Sequence, residues 1–81
     1  MGKLLQIGNA SVRVYANDHL PPHFHIVTPD HEALIDLAGM DIVAGVVRGA
    51  GARAALVWAR ANRSTVVAEW NRVNPSFPIV D

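Results

Sequence analysis

Apolar and polar residues alternate along the first half of the chain, and the alternation gives way to a helical spacing in the second. Between Ser11 and Ala16, Val12 and Val14 fall on one side and Ser11, Arg13 and Tyr15 on the other, which is the period of a half-buried strand. His23 to Val27 follows Pro21-Pro22, a pair that fixes φ and pushes the preceding residue away from helix, so an extended segment is predicted there. Thr28-Pro29-Asp30-His31 has turn chemistry, and Glu32 to Leu37 reads as the returning strand. Shorter strands are expected at Leu4 to Ile7 and at Ile42 to Val47. Beyond Gly49-Ala50-Gly51 the period changes. Ala52, Ala55, Leu56, Trp58 and Ala59 predict a helix with Arg53 and Arg60 on its wet side, ending at Asn62 or Arg63. Ser64 reads as the N-cap of a second helix with the stripe Val66, Val67, Trp70 and Val73, closed by Asn74-Pro75.

Strands followed by helices, without interleaving, predict an α+β domain rather than βαβ units. The expectation is an antiparallel sheet of three to five strands with a C-terminal antiparallel helical pair packed on one face, the short break between the helices setting their antiparallel course. The chain of 81 residues leaves no room for a second core, so residues 1–81 form a single domain. Within it, 1–47 are mainly strands, 50–74 the two helices and 75–81 a tail.

With a loop of Thr28 to His31, the two central strands pair Val27 with Glu32, His25 with Leu34 and His23 with Asp36. Phe24, Ile26, Ala33, Ile35 and Leu37 then share one apolar face for the helices to cover. His23, His25, Glu32 and Asp36 share the other, joined by Arg13 and Tyr15 if Val12 and Val14 point inward. A slip of one residue would mix the two sets, which argues for this register.

Composition adds constraints. Residues are 51% apolar, but 12 of them are alanines that bury little, so the core is thin and self-association is a natural supplement. The chain has no cysteine, which excludes disulfides, thiolate zinc sites and cysteine nucleophiles and is in keeping with a cytoplasmic location. Seven basic residues balance seven acidic ones, yet residues 1–47 carry a net −3 and residues 48–81 a net +3. That split can be satisfied within the chain, by a second copy or by a complementary protein. No apolar run approaches a membrane span, and the start of the chain does not read as a signal peptide, so a soluble chain without membrane contact is expected. Trp58 and Trp70 read as core anchors. Arg53, Arg60 and Arg63 read as a solvated helix face, and without interleaved aromatics a nucleic-acid groove is not favoured.

Three chemistries compete for the polar face. His-x-His on a strand sets two imidazoles about 7 Å apart on one side, near enough to grip one metal ion if His19, Asp18, Glu32 or His31 adds a third ligand. The spacing, however, matches no common zinc signature. Alternatively, His23 and His25 act as general acid and base with Arg13 on a phosphate, a ribonuclease-like arrangement supported by Tyr15 and Glu32. In the plainest reading Asp18, His19, His23, His25, Tyr15, Glu32 and Asp36 are contact residues of a binding face that requires no metal, no cofactor and no catalysis.

The run Asn17-Asp18-His19-Leu20-Pro21-Pro22-His23-Phe24-His25-Ile26, followed by Glu32-Ala33-Leu34-Ile35-Asp36-Leu37 and by Trp58 and Trp70, resembles the small prokaryotic family known as domain of unknown function 4160. The likeness covers about residues 8–74 and rests on an Asp-His-x-Pro-Pro-His-x-His segment ahead of a strand. It departs after Gly45, where Gly49-Ala50-Gly51 replaces a more polar, Leu-Pro-containing approach to the first helix. The resemblance implies a role beside another small protein encoded nearby, as in a toxin–antitoxin pair, with Asp18, His19, His23 and His25 as the positions of interest. Together these features make a small non-catalytic protein-interaction module, associating with itself or with such a partner, the expected function.

Overall fold

The computed structural model describes residues 2–80. Five strands form one antiparallel sheet in chain order: β1 (Lys3–Ile7), β2 (Ala10–Arg13), β3 (His23–Val27), β4 (Glu32–Asp36) and β5 (Ile42–Gly45). Two helices follow, α1 (Ala50–Ala61) and α2 (Arg63–Val73). This is the α+β architecture expected, with all five anticipated strands present. The central register is also as expected, with His23 opposite Asp36, His25 opposite Leu34 and Val27 opposite Glu32.

Cross-strand pairs Leu5–Val12, Val12–Ile26 and Ile26–Ala33 place these side chains on one face of the sheet. The core joins that face, with Phe24 and Ile35, to Ala52, Ala55, Leu56 and Ala59 of α1 and to Val66, Val67 and Trp70 of α2. The alanines of α1 bring the helix backbone close to the sheet, so the small residues that make the core thin also let it close. Trp70 is fully buried and is the largest anchor, whereas Trp58 is only partly buried against the core.

Several local expectations change. The strand expected to reach Ala16 ends at Arg13, and the one expected to reach Val47 ends at Gly45. Gly45 has φ +75 and sits where a Cβ would overlap the Glu32 carbonyl, so the β4–β5 ladder closes there only around a glycine. Ser64 is not the N-cap. The second helix begins at Arg63 with Asn62 as the junction, whose amide bonds the Trp58 and Ala59 carbonyls, so one residue ends α1 and starts α2. Arg60 and Arg63 are not merely solvated: Arg60 Nε donates to the Met40 carbonyl at 3.2 Å and Arg63 Nε to the Leu37 carbonyl at 2.7 Å, tying the helices to the β4–β5 turn. The segment expected to be a tail is strapped down as well. Trp70 Nε1 donates to the Phe77 carbonyl, and the Asn71 side chain bonds both the amide and the carbonyl of Ile79. Asp81, the last residue of the expected tail, lies outside the described residues. Among them, no helix is long and apolar enough to cross a membrane.

Candidate metal centre

Sequence reasoning leaves the second face of the sheet open to water, but His23 and His25 are both buried. The cover is the connection between β2 and β3, residues 14–22, which folds back over the start of β3 and brings Asp18 onto the histidines. Tyr15 lies edge-on to the His25 ring at 4.7 Å, and His19 is tilted over the His23 ring at 4.5 Å. Behind His23 stands Trp70, with ring centroids 6.0 Å apart. Asn74, a buried amide that the sequence marked only as a helix stop, donates to the Tyr15 carbonyl at 3.0 Å and pins the end of α2 to this loop. The strict alternation of β3 predicts which residues share the face. It carries no sign that a loop will cover them.

Asp18 Oδ2 is the centre of the cluster, 3.0 Å from His23 Nε2 and 3.0 Å from His25 Nε2. The other carboxylate oxygen, Oδ1, accepts from the His19 backbone amide at 2.9 Å and lies 3.1 Å from His19 Nδ1. Burial pushes the Asp18 carboxyl up, but the hydrogen bond from His25, the His19 amide and the charges of His23 and His25 outweigh it and hold the group below the usual aspartate value. On the far side of each histidine is another acceptor. His23 Nδ1 meets the Pro21 carbonyl at 2.9 Å, and His25 Nδ1 meets Glu32 Oε2 at 2.8 Å.

These contacts do not balance with neutral imidazoles. A carbonyl can only accept, so His23 Nδ1 carries a proton, and in a neutral ring Nε2 would then be a lone pair facing Asp18. That Nε2 is buried beside a carboxylate oxygen, and despite the 3.0 Å separation it has no hydrogen-bond partner among the described residues. His25 stands between two carboxylates, whereas a neutral imidazole has one N–H to give. The contacts therefore call for positive charge, as protons on the imidazoles or as a metal ion, at the point where the two Nε2 atoms and Asp18 Oδ2 converge. The two 3.0 Å distances to Asp18 Oδ2 are near the roughly 3.3 Å spacing of ligands about a tetrahedral ion with bonds of about 2.05 Å, and all three ligand atoms lie within 4.8 Å of one another.

Of the residues singled out from sequence, Asp18, His19, His23, His25, Tyr15 and Glu32 are brought together. Asp36 is not: its carboxylate accepts from the Gly39 amide and caps the β4–β5 turn. His31 stays in the β3–β4 turn, where its amide donates to Thr28 Oγ1. Arg13 is opposite His25 in the register, but its Nε donates to Ser11 Oγ at 3.0 Å.

The chain is thus a small α+β domain with a buried histidine–carboxylate cluster under the loop that precedes its central strand. It belongs to the family described as domain of unknown function (DUF4160), whose model matches residues 10–71. No curated protein and no solved structure matches the chain.

Proposed function

We propose that this chain is a metal-binding domain that holds one divalent transition ion of zinc's class through Asp18 Oδ2, His23 Nε2 and His25 Nε2. The observation that carries this reading is the buried, unpartnered Nε2 of His23 beside Asp18. An ion there takes the place of a proton between His23 Nε2 and Asp18 Oδ2, which do not form a hydrogen bond with each other, and gives each a coordinate bond. It also resolves His25, which then keeps its proton on Nδ1 for Glu32 while Nε2 binds the ion. Metal-bound histidines commonly make this second hydrogen bond to a carbonyl or carboxylate, which fixes the tautomer and raises ligand basicity. Two imidazoles and a carboxylate suit Zn²⁺, Fe²⁺ or Ni²⁺ better than Ca²⁺ or Mg²⁺, which prefer all-oxygen shells. Three protein ligands leave a further position for water or an exogenous group.

Calorimetric titration of chelator-treated, tag-free protein with ZnCl₂ tests the proposal. One site per chain is expected, lost in His25→Ala. Equal binding by the wild type and by a His23→Ala/His25→Ala double variant would refute it.

The ribonuclease-like reading receives the least support, because Asp18 and Glu32 flank the histidines with negative charge that repels a phosphodiester, and Arg13 is turned to Ser11. A second reading, an interaction module of the toxin–antitoxin kind, is favoured by the exposed apolar residues of β5 and its continuation, Ile42, Val43 and Val46. Co-purification with the product of the neighbouring gene tests it, and failure to recover any complex counts against it.

A further inference from the structure

We infer that β5 and the residues flanking it form the contact surface for a second copy of this chain, giving a closed two-fold dimer. β5 is an end strand of the sheet. Among the described residues, seven large hydrophobics are more than one-third exposed, and three of them, Ile42 at 45%, Val43 at 58% and Val46 at 49%, fall within five consecutive positions here. Natural edge strands are usually guarded by lysine, proline or an inward charge. The stretch Ile42-Val43-Ala44-Gly45-Val46-Val47 carries none of these.

The sequence around the edge is self-complementary. When two copies of Asp41 to Arg48 run antiparallel, Asp41 lies across from Arg48, Ile42 from Val47, Val43 from Val46 and Ala44 from Gly45. Asp41 and Arg48 are both exposed, and neither forms an ion pair among the described residues. Each two-fold contact would contain the Asp41–Arg48 pair twice. These residues lie on either side of the division between the acidic and basic parts of the chain, so the contact also joins the two unlike halves. The register shift between Leu34 and Ile35 and the positive φ of Gly45 bend β5, which limits the length of any shared ladder. Side-chain packing of Ile42, Val43 and Val46 therefore carries the contact.

The opposite edge explains why assembly stops at two. β1 places Lys3 and Gln6 in solvent and has an irregularity of its own between Lys3 and Leu5. With one apolar edge used isologously, the sheet's other edge, with Lys3 and Gln6 in solvent, does not propagate a fibre.

Light scattering on the eluting peak of the tag-free chain, over a range of loading concentrations, reads the dimer directly. Wild type is expected to approach twice 8.7 kDa as concentration rises. Val43→Lys, whose side chain is already exposed, should remain at 8.7 kDa with an unchanged circular-dichroism melt. Asp41→Arg and Arg48→Asp alone should each weaken association about tenfold or more, because each creates two like-charge contacts, and the double reversal should return it to within about threefold of wild type. A wild type that stays monomeric throughout overturns the inference. So does a Val43→Lys variant that remains dimeric, or a double reversal no better than its single variants. The surface does not include Asp18, His23 or His25, so repeating the runs in chelator separates failure of this dimer from failure of the metal site.

Discussion

Replacing Asp18 by asparagine probes the cluster with little change in shape. The amide side chain retains an oxygen for the His19 amide, so the loop keeps its local anchor, but the anionic Oδ2 shared by His23 and His25 is gone. An ion that binds only the folded chain stabilises it by about 2.7 kcal/mol when free metal is at a hundred times its dissociation constant. In a domain of 81 residues, 1 kcal/mol moves Tm by about 4–8 °C, so the wild type should gain about 11–22 °C. Removing an outer-shell partner of a metal ligand typically costs 10–100-fold in affinity, and loss of a direct charged ligand should reach at least the upper figure, about a hundredfold. At the same free zinc the variant is then half saturated, its stabilisation falls to about 0.4 kcal/mol, and Tm rises by only about 2–3 °C. Thermal melts followed by circular dichroism in zinc-buffered and chelator-containing solutions measure both shifts. An Asp18→Asn variant with the full wild-type shift would refute the assignment of Asp18 as a ligand.

Four further outcomes follow from particular contacts. Glu32→Gln keeps an acceptor for His25 Nδ1 but loses its charge, so zinc affinity should fall about tenfold in the same titration, while wild-type affinity would remove Glu32 from the outer shell. Asn74→Ala leaves the Tyr15 carbonyl without its buried donor and should cost about 1–2 kcal/mol in urea unfolding, with no loss contradicting that role. Gly45→Ala must place a Cβ against the Glu32 carbonyl at φ +75, and a loss of about 2–4 kcal/mol is expected from the left-handed backbone and the clash together. The Arg72 hydrogen bond and charge hold the Glu69 carboxyl below its usual value, so its small contribution to stability is present above the ordinary glutamate range and disappears as pH falls through the lowered value. Wild type and Glu69→Gln should therefore converge in stability on acidification, and a gap that widens would reverse the assigned sign.

The parts of the fold that obey a repeating pattern were legible in the sequence. Alternation in Phe24, Ile26, Ala33, Ile35 and Leu37 specified the core face and the β3–β4 register, because any one-residue slip would have put apolar residues among histidines. The helix junction was less legible: Ser64 has the preferred N-cap chemistry, but Asn62 already satisfies the end of α1, and the chain turns there instead. Loop 14–22 has no period to read beyond Ala16, and its first residues continue the alternation of β2 without joining the strand. Its path depends on tertiary contacts, from Asn74 to the Tyr15 carbonyl and from Asp18 to two histidines seven residues or fewer away. His-x-His was therefore visible as a pair, but the burial that strips it of water and leaves His23 Nε2 without a partner was not. The bonds from Arg60 and Arg63 to carbonyls of the β4–β5 turn escaped for the same reason, since side-chain length and charge do not reveal which distant carbonyl lies within reach.

The proposed ion sits between Asp18, His23 and His25. Anomalous diffraction from crystals of the zinc-loaded, tag-free chain, collected on both sides of the zinc absorption edge, tests it without an intermediate assumption. The expected result is a single strong edge-dependent peak about 2.0–2.2 Å from Asp18 Oδ2, His23 Nε2 and His25 Nε2, with His23 Nδ1 still bonded to the Pro21 carbonyl and His25 Nδ1 to Glu32. A zinc-loaded crystal with no peak at that point, or with the ion held instead by the exposed His19 or by His31, would contradict it.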